Sequence, residues 1–213
     1  MGAIYLVRHG QASFGSDDYD KLSPLGKEQG VVVGEELRRR GLEFAVVRSG
    51  SMARQRDTAI AAGFHADQDA RWNEYDFADV FAYAPEVPET SDERGYQRVL
   101  DASLQAWVAA GPGDGRAAES WDDFTARVDG ALESVVSELG SGQNALVFTS
   151  GGVIAAITGR ILGDQPGLFW RLNRMMANAA ITKIISGRSG LTLVALNEHG
   201  HFEGARRHLF SFR

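Results

Sequence analysis

The chain has 213 residues, of which 44% are hydrophobic and 23% charged, enough for one globular domain with an ordinary core. Its net charge of −6 argues against a nucleic-acid partner, because nucleic-acid-binding proteins usually carry a basic face. The absence of cysteine excludes disulfides, thiolate metal ligands and cysteine nucleophiles. No apolar run reaches the roughly 18 residues of a membrane span, and the N-terminus lacks the features of a signal peptide, so we expect a cytoplasmic protein.

Apolar runs alternate with stretches of helical periodicity, which is typical of an α/β sheet protein. The runs predicted to form strands are residues 3–7, 44–47, 145–148, 180–186 and 191–196. The last two are separated by a short Gly-containing turn and predict a hairpin, which makes the sheet mixed. Helices are predicted to begin after Ser23 and Ser120 and at Gly151, and the first of them to end at Gly41.

Residues 76–118 interrupt this alternation with two loop-like ends around a helical middle. We interpret the segment as an insertion or lid over the sheet edge within a single domain spanning residues 1–213. We expect it to select the substrate.

Arg8, His9 and Gly10 directly follow the first predicted strand. Ligands of open α/β sheets bind beyond the carboxyl ends of the strands. A guanidinium pairs well with phosphate oxygens, a neutral imidazole can attack phosphorus, and glycine lets the backbone approach an anion. Taken alone, the tripeptide fits a surface Arg-His pair equally well.

Two later segments add to this motif. Arg54 falls in the first turn of a predicted helix, where the helix dipole would assist a second anion contact. Glu74 lies in a loop between Trp72 and Phe77. Shielding by aromatic rings raises the pKa of a carboxyl group toward the range of a proton donor.

Taken in this order, the motifs resemble the histidine phosphatase superfamily, which includes cofactor-dependent phosphoglycerate mutases and many small phosphatases. The matching stretches are LVRHGQAS (6–13), LSPLGKEQ (22–29), SMARQRDTA (51–59), WNEYDF (72–77), NALVFTSGG (144–152) and NEHGHF (197–202). The resemblance implies a three-layer α/β/α sandwich with a mostly parallel mixed sheet. It also implies that His9 is phosphorylated, that Arg8 and Arg54 hold the phosphate, that Glu74 donates the proton, and that no metal or other cofactor takes part.

One position departs from the family in a way that bears on activity. Where the family places a second active-site histidine, this chain has Ser150. The resemblance gives that histidine a hydrogen bond to the transferring phosphoryl group. Serine offers one hydroxyl donor and no charge, and we expect the amides of Gly151 and Gly152 to add donors. An uncompensated loss of one such donor costs roughly 10²–10³ in rate.

A second departure lies in the loop after Gly10. The family often places an asparagine six residues beyond its catalytic histidine, and here that position is Gly15. We expect Ser13 and backbone amides to replace that phosphate contact. Asp17 and Asp18 are expected to face solvent.

Other interpretations of the same residues are weaker. A nucleophilic Ser150 would need glycine two positions earlier, where Phe148 stands. His199 and His201 lack the ligand set of a metal site. His199 could replace the missing histidine, although a capping or surface role fits its context better. The resemblance gives Asn178 a role in ordering backbone near the site.

The sequence therefore favours a metal-independent phosphatase of a small phosphomonoester acting through a phosphohistidine. Three alternatives stay open: a phosphate-ester binding or regulatory protein with little turnover, phosphoglycerate mutase-type transfer, and a protein phosphohistidine phosphatase. We expect neither nucleic acid nor membrane as a partner, and a homodimer is a possible assembly.

Overall fold

The computed structural model describes residues 1–13, 20–84, 93–111 and 114–212. The predicted phosphate contact Gly15, together with Asp17 and Asp18, lies outside the described residues. The same holds for residues 85–92 and 112–113 of the predicted insertion.

A six-stranded mixed sheet forms the centre of the protein, in the order β3-β2-β4-β1-β5-β6. Its strands are β1 (Gly2–Arg8), β2 (Val46–Ser49), β3 (Asp67–Gln68), β4 (Asn144–Thr149), β5 (Ile181–Gly187) and β6 (Gly190–Glu198). The first four in spatial order are parallel, whereas β5 runs antiparallel to β1 and β6 antiparallel to β5. The predicted mixed sheet and its terminal hairpin are confirmed.

Seven α-helices surround the sheet in the described part of the chain. They are α1 (Pro24–Arg39), α2 (Ala53–Ala61), α3 (Phe77–Phe81), α4 (Glu93–Ala109), α5 (Trp121–Glu138), α6 (Gly151–Ile161) and α7 (Gln165–Met175). Short 3-10 helices cover Ala70–Trp72, Gly200–Phe202 and Gly204–Leu209. None of the described helices is long and apolar enough to span a membrane.

Local sequence signals fix several helix ends. Ser23 Oγ accepts from the Gly26 N–H at 3.0 Å at the start of α1. Ser120 and Asp123 form a reciprocal capping box at the start of α5. Gly41, with φ of +65°, follows α1 in the left-handed conformation that favours glycine.

The side chains of the sheet alternate between two helical layers. Ile4 and Leu6 of β1 point into a core shared with α4, α5, α6 and α7. Tyr5 and Val7 point to the opposite face, into a core shared with α1 and α2. The fold is therefore the three-layer α/β/α sandwich that the sequence predicted.

The described part of segment 76–118 shares the larger of these cores. Trp107 of α4 packs edge-on against Trp121 at a ring-centroid distance of 5.4 Å and also contacts Phe124 and Phe169. This end of α4 is therefore anchored to α5 and α7. The role of the segment as a lid stays a prediction.

Candidate active site

The carboxyl ends of β1 and β4 lie side by side and set up the candidate site. Arg8 is paired with Thr149 in register, and the His9 N–H donates to the Thr149 carbonyl at 2.8 Å. His9 and Ser150 are thus the first residues beyond two neighbouring parallel strands. Arg54 reaches this edge from α2, and Glu74 reaches it from the loop after the Ala70–Trp72 3-10 helix.

His9 is held in a defined tautomer. Its Nδ1 lies 2.7 Å from the Gly10 carbonyl oxygen, which can only accept, so Nδ1 carries the proton. Nε2 accepts from Nε of Arg54 at 3.2 Å. Burial lowers the pKa of His9 well below its ordinary value, and the charges of Arg54 and Arg8 lower it further. His9 is therefore a neutral imidazole whose Nε2 lone pair faces a guanidinium.

The backbone around His9 is fixed from three sides. The Gly10 N–H donates to Thr58 Oγ1 at 2.9 Å, and Asn178 Nδ2 donates to the His9 carbonyl at 3.2 Å. A Cβ on Gly10 would lie 2.3 Å from the Gly26 carbonyl of α1, so this position requires glycine for close packing. The contact of Asn178 agrees with the ordering role that the family resemblance implied. A phosphate contact by Gly10 stays a prediction, since its amide already has a partner.

Arg54 is positioned by a residue that the sequence analysis missed. Its Nη1 donates to Asp20 Oδ1 at 2.7 Å, and Asp20 Oδ2 accepts from the Ala53 N–H at 2.7 Å. The carboxylate therefore caps α2, whose own N-cap residue, Met52, has no side-chain acceptor. A missing local cap at the start of α2 was the available signal, but it could not identify Asp20 as the partner.

Glu74 is a nearly buried carboxyl group, 8% exposed. Its Oε2 accepts from the Gly152 N–H at 3.0 Å, and its Oε1 has no hydrogen-bond partner in the described part of the chain. Burial raises the pKa of Glu74, against the opposing effects of the Gly152 bond and the charges of Arg54 and Arg8. A raised pKa suits a general acid, because the carboxyl group then keeps its proton up to a higher pH.

The structure revises one expectation about the start of α6. The Gly152 amide, expected to face phosphate, is committed to Glu74, and a Cβ at this position would lie 2.2 Å from Glu74 Oε1. A Cβ on Gly151 would lie 3.0 Å from Asn173 Oδ1 and 3.5 Å from Arg8 Nε. The phosphate contact assigned to Gly151 stays a prediction.

Arg8 joins the site to the end of the chain. Its Nη1 donates to the carbonyls of Met176 and Phe212, the second at 2.8 Å. The positive charge of Arg8 lowers the pKa values of both His9 and Glu74.

Ser150 is fully buried, and its hydroxyl is bound by another residue absent from the predictions. Gln55 Nε2 donates to Ser150 Oγ at 2.7 Å and to the Trp72 carbonyl at 3.1 Å. Gln55 is itself fully buried. A small residue in place of a histidine ring leaves a volume that some side chain must fill, but the sequence could not identify Gln55 as that side chain.

Two further predicted residues are described. Ser13 is partly buried, and its N–H donates to the Lys21 carbonyl at 2.8 Å. His199 donates from Nδ1 to the Asn197 carbonyl at 2.7 Å, and its ring packs on Phe210 at 4.8 Å. These contacts give His199 a role in the C-terminal segment and offer no support for its replacing the missing histidine.

The metal-ligating residue types do not converge anywhere in the described ranges. No group of three or more histidine, aspartate or glutamate side chains there is arranged to hold a metal ion.

Comparison with known proteins decides the family. The model of the histidine phosphatase superfamily (branch 1) matches residues 4–199. The chain belongs to this superfamily. No curated protein gave a significant match.

Solved structures share the fold over nearly their whole length. A phosphoserine phosphatase mutant from Entamoeba histolytica, in complex with phosphoserine, is 17% identical with a TM-score of 0.69, covering 94% of this chain and 99% of that one. A mycobacterial glucosyl-3-phosphoglycerate phosphatase is 22% identical with a TM-score of 0.65, covering 92% and 98%. A phosphoglycerate mutase from Bacillus anthracis is 17% identical with a TM-score of 0.67, covering 93% and 94%. At these identities the similarity establishes the fold, which phosphatases and a mutase share.

Proposed function

We propose that this protein is a metal-independent phosphatase that hydrolyses a small phosphomonoester through a phosphohistidine at His9. The observation that carries the proposal is the state of His9. The imidazole is neutral and buried, its Nδ1–H is committed to backbone, and its Nε2 lone pair points at an arginine. A phosphate oxygen bound to that arginine would bring phosphorus close to Nε2.

Substrate binding requires Arg54 to exchange one partner for another. Its Nε–H now occupies the Nε2 lone pair of His9. A phosphate oxygen is a stronger acceptor for a guanidinium than a neutral imidazole, because the bond is charge-assisted. The incoming phosphate therefore draws Arg54 onto itself and leaves Nε2 available, while Asp20 keeps hold of the other side of the guanidinium.

In the first chemical step, Nε2 attacks phosphorus, the P–O bond to the leaving group breaks, and Glu74 gives its proton to the departing oxygen. In the second step, water attacks the phosphohistidine and Glu74, now a carboxylate, takes a proton from it. The P–N bond breaks and inorganic phosphate leaves. Arg8 and Arg54 balance the charge on the phosphoryl oxygens in both steps.

A phosphate-ester binding or regulatory role is the second candidate, and Ser150 is the observation that favours it. A neutral hydroxyl supplies no charge where the family's histidine does, so turnover could be slow while the two arginines still bind phosphate. Phosphoglycerate mutase-type transfer is less well supported, because a mutase must hold a doubly charged acid and the Asp20 carboxylate, which pairs with Arg54, reduces the positive charge available to hold it.

Phosphate release from a panel of small phosphomonoesters, in the presence of a chelator, tests the proposal. We expect the wild type to release phosphate, His9→Asn to lose this activity, and a matched control in an exposed loop, His65→Asn, to retain it. Retained turnover in His9→Asn would refute the phosphatase mechanism. Tight binding of a phosphate ester without turnover by the wild type would establish the binding role instead.

A further inference from the structure

We propose that Gln55 is a positioning residue that turns the Ser150 hydroxyl into a fixed hydrogen-bond donor toward the transferring phosphoryl group. The inference rests on the proposed phosphatase function and extends it to the position where the family's second histidine is missing. It assigns the donor to a serine-glutamine pair instead of to a single side chain.

The direction of the hydrogen bonds around Gln55 is set by a backbone carbonyl. The Trp72 carbonyl can only accept, and it lies 3.1 Å from the terminal amide of Gln55, so the nitrogen of that amide must face it. The same nitrogen lies 2.7 Å from Ser150 Oγ. The second amide hydrogen therefore goes to Ser150, and the serine oxygen is the acceptor of this bond.

The serine proton must then point away from Gln55. The Trp72 carbonyl already accepts from Thr149 Oγ1 at 2.6 Å as well as from Gln55, so both of its lone pairs are used. Across the part of the chain that the structure describes, Gln55 is the one hydrogen-bond partner of the Ser150 hydroxyl. A hydroxyl that accepts a bond becomes a better donor, because chains of hydrogen bonds polarise one another.

Backbone contacts place Ser150 between the residues that bind His9 and Glu74. Ser150 directly follows Thr149, whose carbonyl binds the His9 N–H. Two residues later, Gly152 binds Glu74. In the proposed reaction, a phosphoryl group that passes from a leaving group at Glu74 to Nε2 of His9 would therefore pass near Ser150. One of its non-bridging oxygens is the acceptor that the serine proton lacks.

The pair acts differently from a histidine. It donates one hydrogen bond without adding charge, and it does not titrate in the working pH range. Arg8 and Arg54 then carry all of the positive charge. Gln55 does not touch the substrate, so its effect is exerted through Ser150 alone.

A double-mutant cycle tests this coupling. Ser150→Ala, Gln55→Met and the double variant are compared with the wild type in the turnover of an aryl phosphate, and folding is checked by thermal unfolding. We expect Ser150→Ala to lower kcat by about 10²-fold with little change in KM. Gln55→Met should lower kcat by about 10-fold in the wild type and by nothing further in Ser150→Ala. Gln68→Met, a change of the same kind on exposed β3, is the matched control.

The variant Gln55→Glu separates positioning from structural support. An ionised carboxylate of the same shape accepts where the amide donated, so the Ser150 hydroxyl reverses and points away from the substrate. The ratio of its kcat to that of the wild type should therefore fall as the pH rises and the carboxylate ionises. Thermal unfolding is followed over the same pH range, because an ionised carboxylate beside the Trp72 carbonyl would also destabilise the fold. A fall in the kcat ratio without a matching fall in the unfolding temperature supports positioning, and a parallel fall of both indicates a structural role.

The outcomes distinguish the inference from the proposed function. An active wild type whose turnover is unchanged in Ser150→Ala overturns the inference alone. Additive losses from Gln55→Met and Ser150→Ala, or a flat pH ratio for Gln55→Glu, also overturn it. If Gln55→Met does not fold, the pH dependence of the kcat ratio between Gln55→Glu and the wild type decides whether the inference holds. A folded wild type without any turnover overturns the proposed function, and the inference with it.

Discussion

Replacing Glu74 by glutamine should slow phosphoryl transfer by a factor that depends on the leaving group. The Glu74 Oε2 atom accepts from the Gly152 amide at 3.0 Å, whereas Oε1 has no partner in the described residues. In Glu74→Gln, the amide oxygen can keep the Gly152 bond and the NH₂ group can take the place of Oε1. The shape of the site survives, and what disappears is the proton that can be transferred.

The size of the rate loss can be derived, because the substitution keeps the shape of the site and removes only the transferable proton. A positioned general acid contributes roughly 10²–10⁴ in rate, which is about 2.7–5.4 kcal/mol of transition-state stabilisation. An alkyl phosphate, whose alkoxide leaves poorly, should lose this whole factor in the phosphoryl-transfer step. A nitrophenyl phosphate needs no protonation of its leaving group and should lose less than about 10-fold in the same step.

The assay must isolate the transfer step, because Glu74 is also the proposed base for hydrolysis of the phosphoenzyme. Rapid-quench measurement of the first turnover does so for both substrates. With the nitrophenyl ester, Glu74→Gln should show a burst of one product per active site followed by slow turnover. The control is Glu133→Gln on α5, whose side chain is 69% exposed. Equal losses for the two leaving groups would refute the assignment of Glu74 as the acid.

Two other variants test the surroundings of the site. Asp20→Asn should lower kcat about 10-fold, because Arg54 loses the carboxylate that orients it. KM should not rise, because the substitution also removes a negative charge near the bound phosphate. Steady-state kinetics at several salt concentrations would show this pattern, and an unchanged kcat would contradict it. His201 is partly buried, and desolvation lowers its pKa from 6.5 to about 4. Its contribution to stability is therefore complete above pH 6.5 and is lost as the pH falls through that window. The free energy of unfolding should fall between pH 7 and pH 4 in both proteins, but by about 3 kcal/mol less in His201→Gln than in the wild type. Urea titrations at the two pH values would measure both falls. Equal falls would contradict this assignment to His201.

Much of the fold could be predicted because its signals are local. Ser23, Ser120 and Gly41 set helix ends through contacts within a few residues, so their sequence context was sufficient. The two-residue strand β3 was missed because Asp67 and Gln68 are polar and exposed and pair along a single edge. Strand β2 begins two residues later than predicted, since the apolar run includes Phe44, which packs between Tyr5 and Phe64 before the strand.

The residues of the candidate site likewise divide into those with a signal in the sequence and those without one. His9, Arg54 and Glu74 could be found because each belongs to a motif that resembles a family pattern. Gln55 and Asp20 could not, because each acts through a contact with a residue far along the chain, Ser150 in one case and Arg54 in the other. Sequence reasoning proposed groups that would meet the substrate, and the structure was needed to find the residues that contact those groups.

Trapping of the intermediate tests the central claim most directly. The protein would be incubated with an aryl phosphate, quenched in base, which preserves phosphohistidine, and digested for peptide mass spectrometry. The account predicts a phosphoryl group on His9 in the wild type and a larger amount of it in Glu74→Gln, where hydrolysis lacks its base. Turnover of the aryl phosphate without any phosphoryl group on His9 would contradict it.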